Sequence, residues 1–228
     1  MLSFLLSAII VTSTLAATPC CTDRQFEARF GEVGGGIFPS NGQAAPALLN
    51  GVNIISYDAY SRKMAIEVTM FFSTGTNQTT NVILDDNTKK MTILTKYVCY
   101  LMEDTAPFIE TCIPDDAVKI RESYIGFGVK AIPFTTWQFL APGTDNVVRL
   151  SVTDHGCIPI FESFFGTLQG GFADILYVIT NFQPGIRNMN VFNVPSNCIS
   201  IPPNDAPDVV RRSIDKAESL MKHFRMQL

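Results

Sequence analysis

From Gln25 to Val33 the chain alternates apolar and polar residues at period two, Phe26, Ala28 and Phe30 against Glu27, Arg29 and Gly31. That is the pattern of a half-buried strand. Gly34, Gly35 and Gly36 predict its end, and a loop carrying Pro39, Gly42 and Pro46 follows. Two apolar runs, 51–58 and 64–72, flank the polar turn Tyr60-Ser61-Arg62-Lys63 and read as a β-hairpin. Further short runs at 79–84, 91–94, 97–102, 124–130, 135–140, 147–152, 158–168 and 172–182 are each bounded by Gly, Pro, Asn or Asp. Roughly ten short strands with no long helical pattern between them predict an antiparallel sandwich or open barrel rather than βαβ units.

One helix is expected. Past Pro202, Pro203 and Pro207, the residues Val210, Ile214, Ala217, Met221 and Phe224 recur at helical spacing, with Lys222, His223 and Arg225 near the end that favours cations. At the other terminus, Leu2 to Val11 is apolar and is followed by small residues, with Thr14 and Ala16 suited to cleavage after Ala16. The expected organisation is therefore a signal peptide over 1–16, one β domain over 17–200, and a C-terminal helix over 201–228 packed on that domain or extending from it. A membrane anchor wants about 20 apolar residues without a polar break, which the leader lacks.

Export changes the reading of the cysteines. Cys20, Cys21, Cys99, Cys112, Cys157 and Cys198 are an even number in an oxidising compartment, so disulfides are expected. Structural zinc needs clustered Cys and His, whereas the only close pair is Cys20-Cys21. Asn77-Gln78-Thr79 is an N-glycosylation sequon, and Asn77 is the expected acceptor. A net charge of -4 argues against nucleic-acid partners, which need a basic stripe to neutralise phosphates. With 46% hydrophobic residues, and 17 Phe against one Trp, the core carries few polar tips and can either fill itself or line a greasy cavity.

Candidate chemistry is sparse. No nucleophile elbow, zinc-protease helix or P-loop occurs. Gly126-Phe127-Gly128-Val129-Lys130-Ala131 matches the loose dinucleotide pattern, but Pro133 stands where a helix should open, and strand and turn is the stronger reading. Asp154 and His155 are adjacent, so in an extended segment they point to opposite faces. Asp85-Asp86-Asn87 and Asp115-Asp116 offer hard oxygens for calcium but lack the spacing of an EF-hand, and turn chemistry explains both. The chain is expected not to be an enzyme and to need no cofactor, with calcium the one candidate ion.

Several residues together resemble the ependymins and ependymin-related proteins. They are Cys21 with Gln25-Phe26-Glu27-Ala28-Arg29, then Ser56-Tyr57-Asp58 with Arg62, then Cys112 and Trp137. Cys157-Ile158-Pro159 with Glu162 follows, and the stretch closes on Gly185-Ile186, Val191-Phe192 and Pro195-Ser196-Asn197-Cys198. The resemblance implies two stacked, curved antiparallel sheets, like those of bacterial lipoprotein carriers, around a deep apolar pocket. It implies a secreted, glycosylated, often dimeric protein linked to calcium, cell-matrix contact and lipid-like ligands.

The same resemblance pairs Cys21 with Cys157 and Cys112 with Cys198, leaving Cys20 and Cys99 to bond to each other. The doublet leaves open which of Cys20 and Cys21 takes Cys157. For the pocket wall, the bulky strand residues Phe71, Phe127, Trp137, Phe139 and Phe165 are candidates, each also suited to plain core. The expected function is non-enzymatic binding of a hydrophobic or lipid-like molecule, with a structural extracellular-matrix role as the alternative and a homodimer as a further possibility.

Overall fold

A computed structural model of the protein describes residues 19–40, 43–72, 75–104, 108, 111–141, 143–168, 170–202 and 207. The signal peptide expected over 1–16 and nearly all of the helix expected over 201–228 lie outside them. Twelve strands follow in chain order: β1 (Gln25–Ser40), β2 (Gln43–Asp58), β3 (Lys63–Phe71), β4 (Asn77–Asp85), β5 (Lys90–Leu94), β6 (Cys99–Glu103), β7 (Val118–Ile125), β8 (Ile132–Leu140), β9 (Val147–Thr153), β10 (Pro159–Leu168), β11 (Gly171–Pro184) and β12 (Ile199–Ser200).

They form one continuous hydrogen-bonded sheet, ordered β12-β6-β5-β4-β3-β2-β1-β11-β10-β9-β8-β7. The mainly β, open antiparallel architecture is as expected, and it is carried by one continuous sheet. The N-terminal meander β1 to β6 and the C-terminal meander β7 to β11 are joined by the antiparallel β1–β11 ladder, so no break separates them. Among the described strands only the short β12–β6 pair is parallel.

The glycine run does not end β1. Gly34 and Gly36 face Ile175 and Ala173 across the ladder, and a Cβ on Gly34 would stand 2.3 Å from the carbonyl oxygen of Asp174. The missing side chains let β11 press against β1, and the strand runs on to pair residue for residue with β2 through Pro39 and Pro46. A loop expected from composition is thus the outer half of a long hairpin. Near the other end of the β1–β11 ladder the register shifts between Glu27 and Arg29. Asn181 lies opposite that irregularity with a φ of 54°, a conformation asparagine tolerates better than most residues.

Successive side chains in a strand point to opposite faces, so the ladders assign every residue a side. One face carries Phe26 and Phe30 of β1, Ile55 and Tyr57 of β2, Ile66 and Val68 of β3, Val82 and Leu84 of β4, and Met91 and Ile93 of β5. On the other side of β1 it carries Ile175 of β11, Phe164 of β10, Val148 of β9, and Trp137 and Phe139 of β8. All are buried and belong to one continuous cluster, the result expected when a sheet this wide curls over its own inner face. On the outer face a smaller cluster, Ala65, Ile83 and Phe192, packs under the 3₁₀ turn Met189–Phe192.

All six cysteines are bonded, and Cys157 takes Cys20, one of the two doublet partners left open, whereas the expected Cys112–Cys198 and Cys20–Cys99 pairs do not form. The bridges are Cys20–Cys157, Cys21–Cys112 and Cys99–Cys198. The backbone explains the correction. Thr22 donates its N–H to the carbonyl of Thr111, and Ile113 donates to Cys20, which sets Cys21 directly opposite Cys112. The neighbour Cys20 then meets Cys157, beside the hydrogen bond from the Thr22 hydroxyl to the Cys157 carbonyl. At the far edge, Ile199 pairs with Tyr100, so Cys198 arrives next to Cys99.

Candidate functional site

The inner face is mostly apolar, with Thr80, Thr135 and Asn53 buried among its side chains, and it carries its carboxyl groups along one row. Glu32 of β1 stands opposite Tyr177 of β11, and Tyr177 opposite Glu162 of β10. All three are buried. On the other side of Glu32 lies Gly51 of β2, where a Cβ would come within 3.7 Å of the Glu32 carboxylate. Asn53, two residues along β2, donates its Nδ2 to Glu32 Oε2 at 3.3 Å, while its own Oδ1 is buried without a hydrogen-bond partner. Buried carboxyl and amide groups are costly unless hydrogen-bonded, so a polar row in the middle of an aliphatic and aromatic face is the inner face's distinguishing chemistry. It is rich in acceptors: two carboxyl groups and an amide oxygen.

The five aromatic candidates separate by strand parity. Trp137 and Phe139 project into the inner face and are buried. Phe71 and Phe165 occupy the opposite parity, on the outer face, and are about half exposed. Phe127 is not in a strand at all: the run expected over 124–130 is the end of β7, then a tight turn, and the side chain is 89% exposed. These three are corrections to the expected pocket wall. Bulk and hydrophobicity do not reveal which face a residue takes; the count along the strand from a known inner residue does.

That same count would have found the polar row. Glu32 follows Phe26, Ala28 and Phe30 at spacing two, and Tyr177 stands between Ile175 and Ile179. A charged residue on the apolar parity of a strand is the sequence signal for such a row.

The remaining candidates are turn residues. His155 lies in the turn 154–157, whose Asp154 accepts a hydrogen bond from Thr135 at 2.8 Å. Asp86 binds Arg62 and Lys89, and Asp85 lies 3.1 Å from Lys63, so both carboxylates already have cationic partners. Burial works to raise the Asp86 carboxyl, but hydrogen bonds and charge from Lys89 and Arg62 outweigh it and hold it below its usual range. Burial likewise opposes ionisation of Asp58, and hydrogen bonds from Ser61, Gln25 and Tyr60 reverse the balance. Among the described residues no three His, Cys, Asp or Glu side chains gather as a metal site, and no helix is long and apolar enough to cross a membrane.

Asn77 is exposed at the start of β4 and lines a groove of about 940 Å³ with Phe72, Asn81, Tyr97 and Tyr100.

Known proteins place the chain. It is similar to ependymin-related protein 2 of Haliotis asinina, 30% identical over 38% of this chain and 45% of that protein. It is also similar to ependymin of Notemigonus crysoleucas, 27% identical over 42% and 44% respectively, so the alignments span less than half the length of these relatives. Among solved structures, a DUF1329 family protein from Desulfovibrio piger superposes on 75% of this chain and 90% of its own with a TM-score of 0.32 and 7% identity, too loose a likeness to carry an argument. The ependymin family profile matches residues 63–198, from the first residue of β3 to the last cysteine. The chain belongs to the ependymin family.

Proposed function

We propose that this is a secreted, non-enzymatic extracellular protein that holds an amphiphilic, lipid-like molecule against the inner face of its sheet. The observation that carries the reading is the polar row Glu32, Tyr177 and Glu162, with Asn53, set within a continuous apolar face. The apolar side chains suit an acyl or sterol body, and the acceptor-rich row suits a head group that donates hydrogen bonds. An amine or alcohol head satisfies the Asn53 oxygen and meets the carboxyl groups favourably. A fatty-acid carboxylate would bring further acceptors to a row already rich in them. Three disulfides and the sequon at Asn77 support the extracellular compartment.

Lipid extraction and mass spectrometry of protein purified from its natural source test the reading. A copurifying amphiphile is expected, with saturable binding of a long-chain amine or alcohol exceeding that of the matching fatty acid. Absence of any bound lipid together with no saturable binding of either class would remove it.

A second reading, assembly through the outer face into a homodimer or a matrix, is favoured by a separate observation. Val33, Phe165, Phe172, Leu176 and Val178 are exposed on the outer side of β1, β10 and β11. Sedimentation of the purified protein as a monomer that is not retained on matrix would count against it.

A further inference from the structure

The β7–β8 hairpin ends in a projection unlike the other polar turns of the sheet. At its tip Phe127 is 89% exposed and Val129 fully exposed, the two residues separated only by Gly128. Gly126 and Gly128 take φ values of 98° and 56°, which the absence of a side chain makes accessible. The chain thus folds back through the 3₁₀ turn Gly128–Lys130, none of whose residues is buried. Tyr124, Ile125 and Ile132 flank the turn and are also exposed, extending the apolar cap down both strands. Five large apolar side chains on one tip are a costly surface to leave in water without a partner.

Charge says what kind of partner. Between Glu122 and Asp145 there is no acidic residue, and Lys130 is the only charged side chain, although the whole chain is net acidic at -4. Arg121 lies just behind the tip, and Lys119 is ion-paired with Glu122. Asp154 is held against the start of β8 by its N–H on the Pro133 carbonyl, so the base carries both signs, while the apolar tip itself carries only the positive charge of Lys130. Among the described residues β7 is the last strand of the sheet and pairs only with β8, so the hairpin lies at the sheet's edge. A fluid lipid surface needs no matching shape to take up such a tip, only apolar side chains with a cation beside them.

We propose that the β7–β8 tip is a membrane-docking element that seats Phe127 and Val129 at the headgroup and acyl boundary of an anionic bilayer, with Lys130 and Arg121 at the phosphates. Apolar side chains gain by leaving water, and basic residues next to an anionic leaflet add attraction within a Debye length. The docking does not depend on any molecule held by the inner face, so lipid-free protein docks as well.

The test uses delipidated full-length mature protein with phosphatidylcholine vesicles and with phosphatidylcholine–phosphatidylserine vesicles. In Phe127→Trp the new indole joins a single native tryptophan, Trp137, which is buried. Its emission is expected to shift to the blue on the anionic vesicles and to be quenched by lipids carrying a shallow doxyl group. The double variant Phe127→Ala/Val129→Ala, checked for unchanged circular dichroism, should float with anionic vesicles about tenfold less than the parent, in keeping with lost apolar burial. Lys130→Glu should weaken binding to the anionic vesicles alone. An unchanged Phe127→Trp spectrum, or a double variant that floats like the parent, would overturn the proposal. So would a protein dimer that the double variant dissociates, because a second copy would then be what covers the tip.

Discussion

Arg62 Nε donates to Asp86 Oδ2 at 2.7 Å, tying the turn between β2 and β3 to the turn between β4 and β5. Lys89 reaches the other oxygen of the same carboxylate. Both basic residues have positive φ, 53° and 52°, so Asp86 holds two non-glycine residues in the left-handed region.

This arrangement carries a pH dependence of known sign. The folded Asp86 carboxyl lies below its unfolded value, so its stabilisation is fully present above the usual carboxylate pKa of about 4 and is lost as pH falls through the lowered folded value. Arg62 is half exposed, which limits the pair to about 1 kcal/mol. Arg62→Ala is expected to lower the unfolding midpoint at neutral pH, with the gap to the parent closing in acid. Thermal melts across that range measure it, and a gap independent of pH would refute the assignment.

Lys89→Gly and Lys89→Ala should differ. Both lose the ion pair, but glycine relieves the positive φ, worth roughly 1 kcal/mol. Urea denaturation should find the glycine variant near the parent and the alanine variant about 1 kcal/mol less stable. Equal losses would show that the backbone of this turn is unstrained.

Peptide mapping without reduction should recover Cys20–Cys157, Cys21–Cys112 and Cys99–Cys198. These bridges close long loops, with sequence separations of 137, 91 and 99 residues. Replacing both Cys99 and Cys198 by alanine is expected to cost about 2–5 kcal/mol and to loosen the β12–β6 edge. Hydrogen exchange at Leu101 and Ile201 reports that edge, because the Ile201 N–H donates to the Leu101 carbonyl.

The aromatic candidates should split by face in stability as they do in position. Trp137→Ala empties a buried inner site and should cost about 3–5 kcal/mol, whereas Phe127→Ala, at an exposed tip, should stay within about 0.5 kcal/mol. Equal costs would contradict the hairpin geometry.

Gly34 offers a direct probe of the β1–β11 contact. An added methyl would stand 2.3 Å from the Asp174 carbonyl oxygen and 2.8 Å from the Ile175 Cα, so Gly34→Ala should destabilise by about 1–3 kcal/mol. Gly143→Ala has open space but a φ of 68°, and should cost only about 1 kcal/mol from the backbone. Chemical denaturation of the two variants separates crowding from conformation.

Local pattern was enough for most strands. Alternation marks Phe26, Ala28 and Phe30 as one face, and the polar turn at 60–63 marks the β2–β3 hairpin, because side-chain parity and turn chemistry are properties of a few neighbouring residues. The residues resembling ependymins, Cys112, Trp137, Cys157 and Cys198 among them, likewise identified the family from sequence. Other features were invisible for a physical reason: they depend on which distant segment lies alongside. Gly34 to Gly36 read as a break until the backbone of β11 occupies the space their side chains would fill. The cysteine partners follow from Cys21 facing Cys112 and from Ile199 pairing with Tyr100, contacts made across about a hundred residues. The sequence by itself determined a disulfide-bonded β protein of the ependymin family with alternating strand faces. The tertiary structure decided that the strands share one sheet, that Glu32, Tyr177 and Glu162 form a row, and that Phe127 points into solvent, because register between strands is set by long-range packing and not by local sequence.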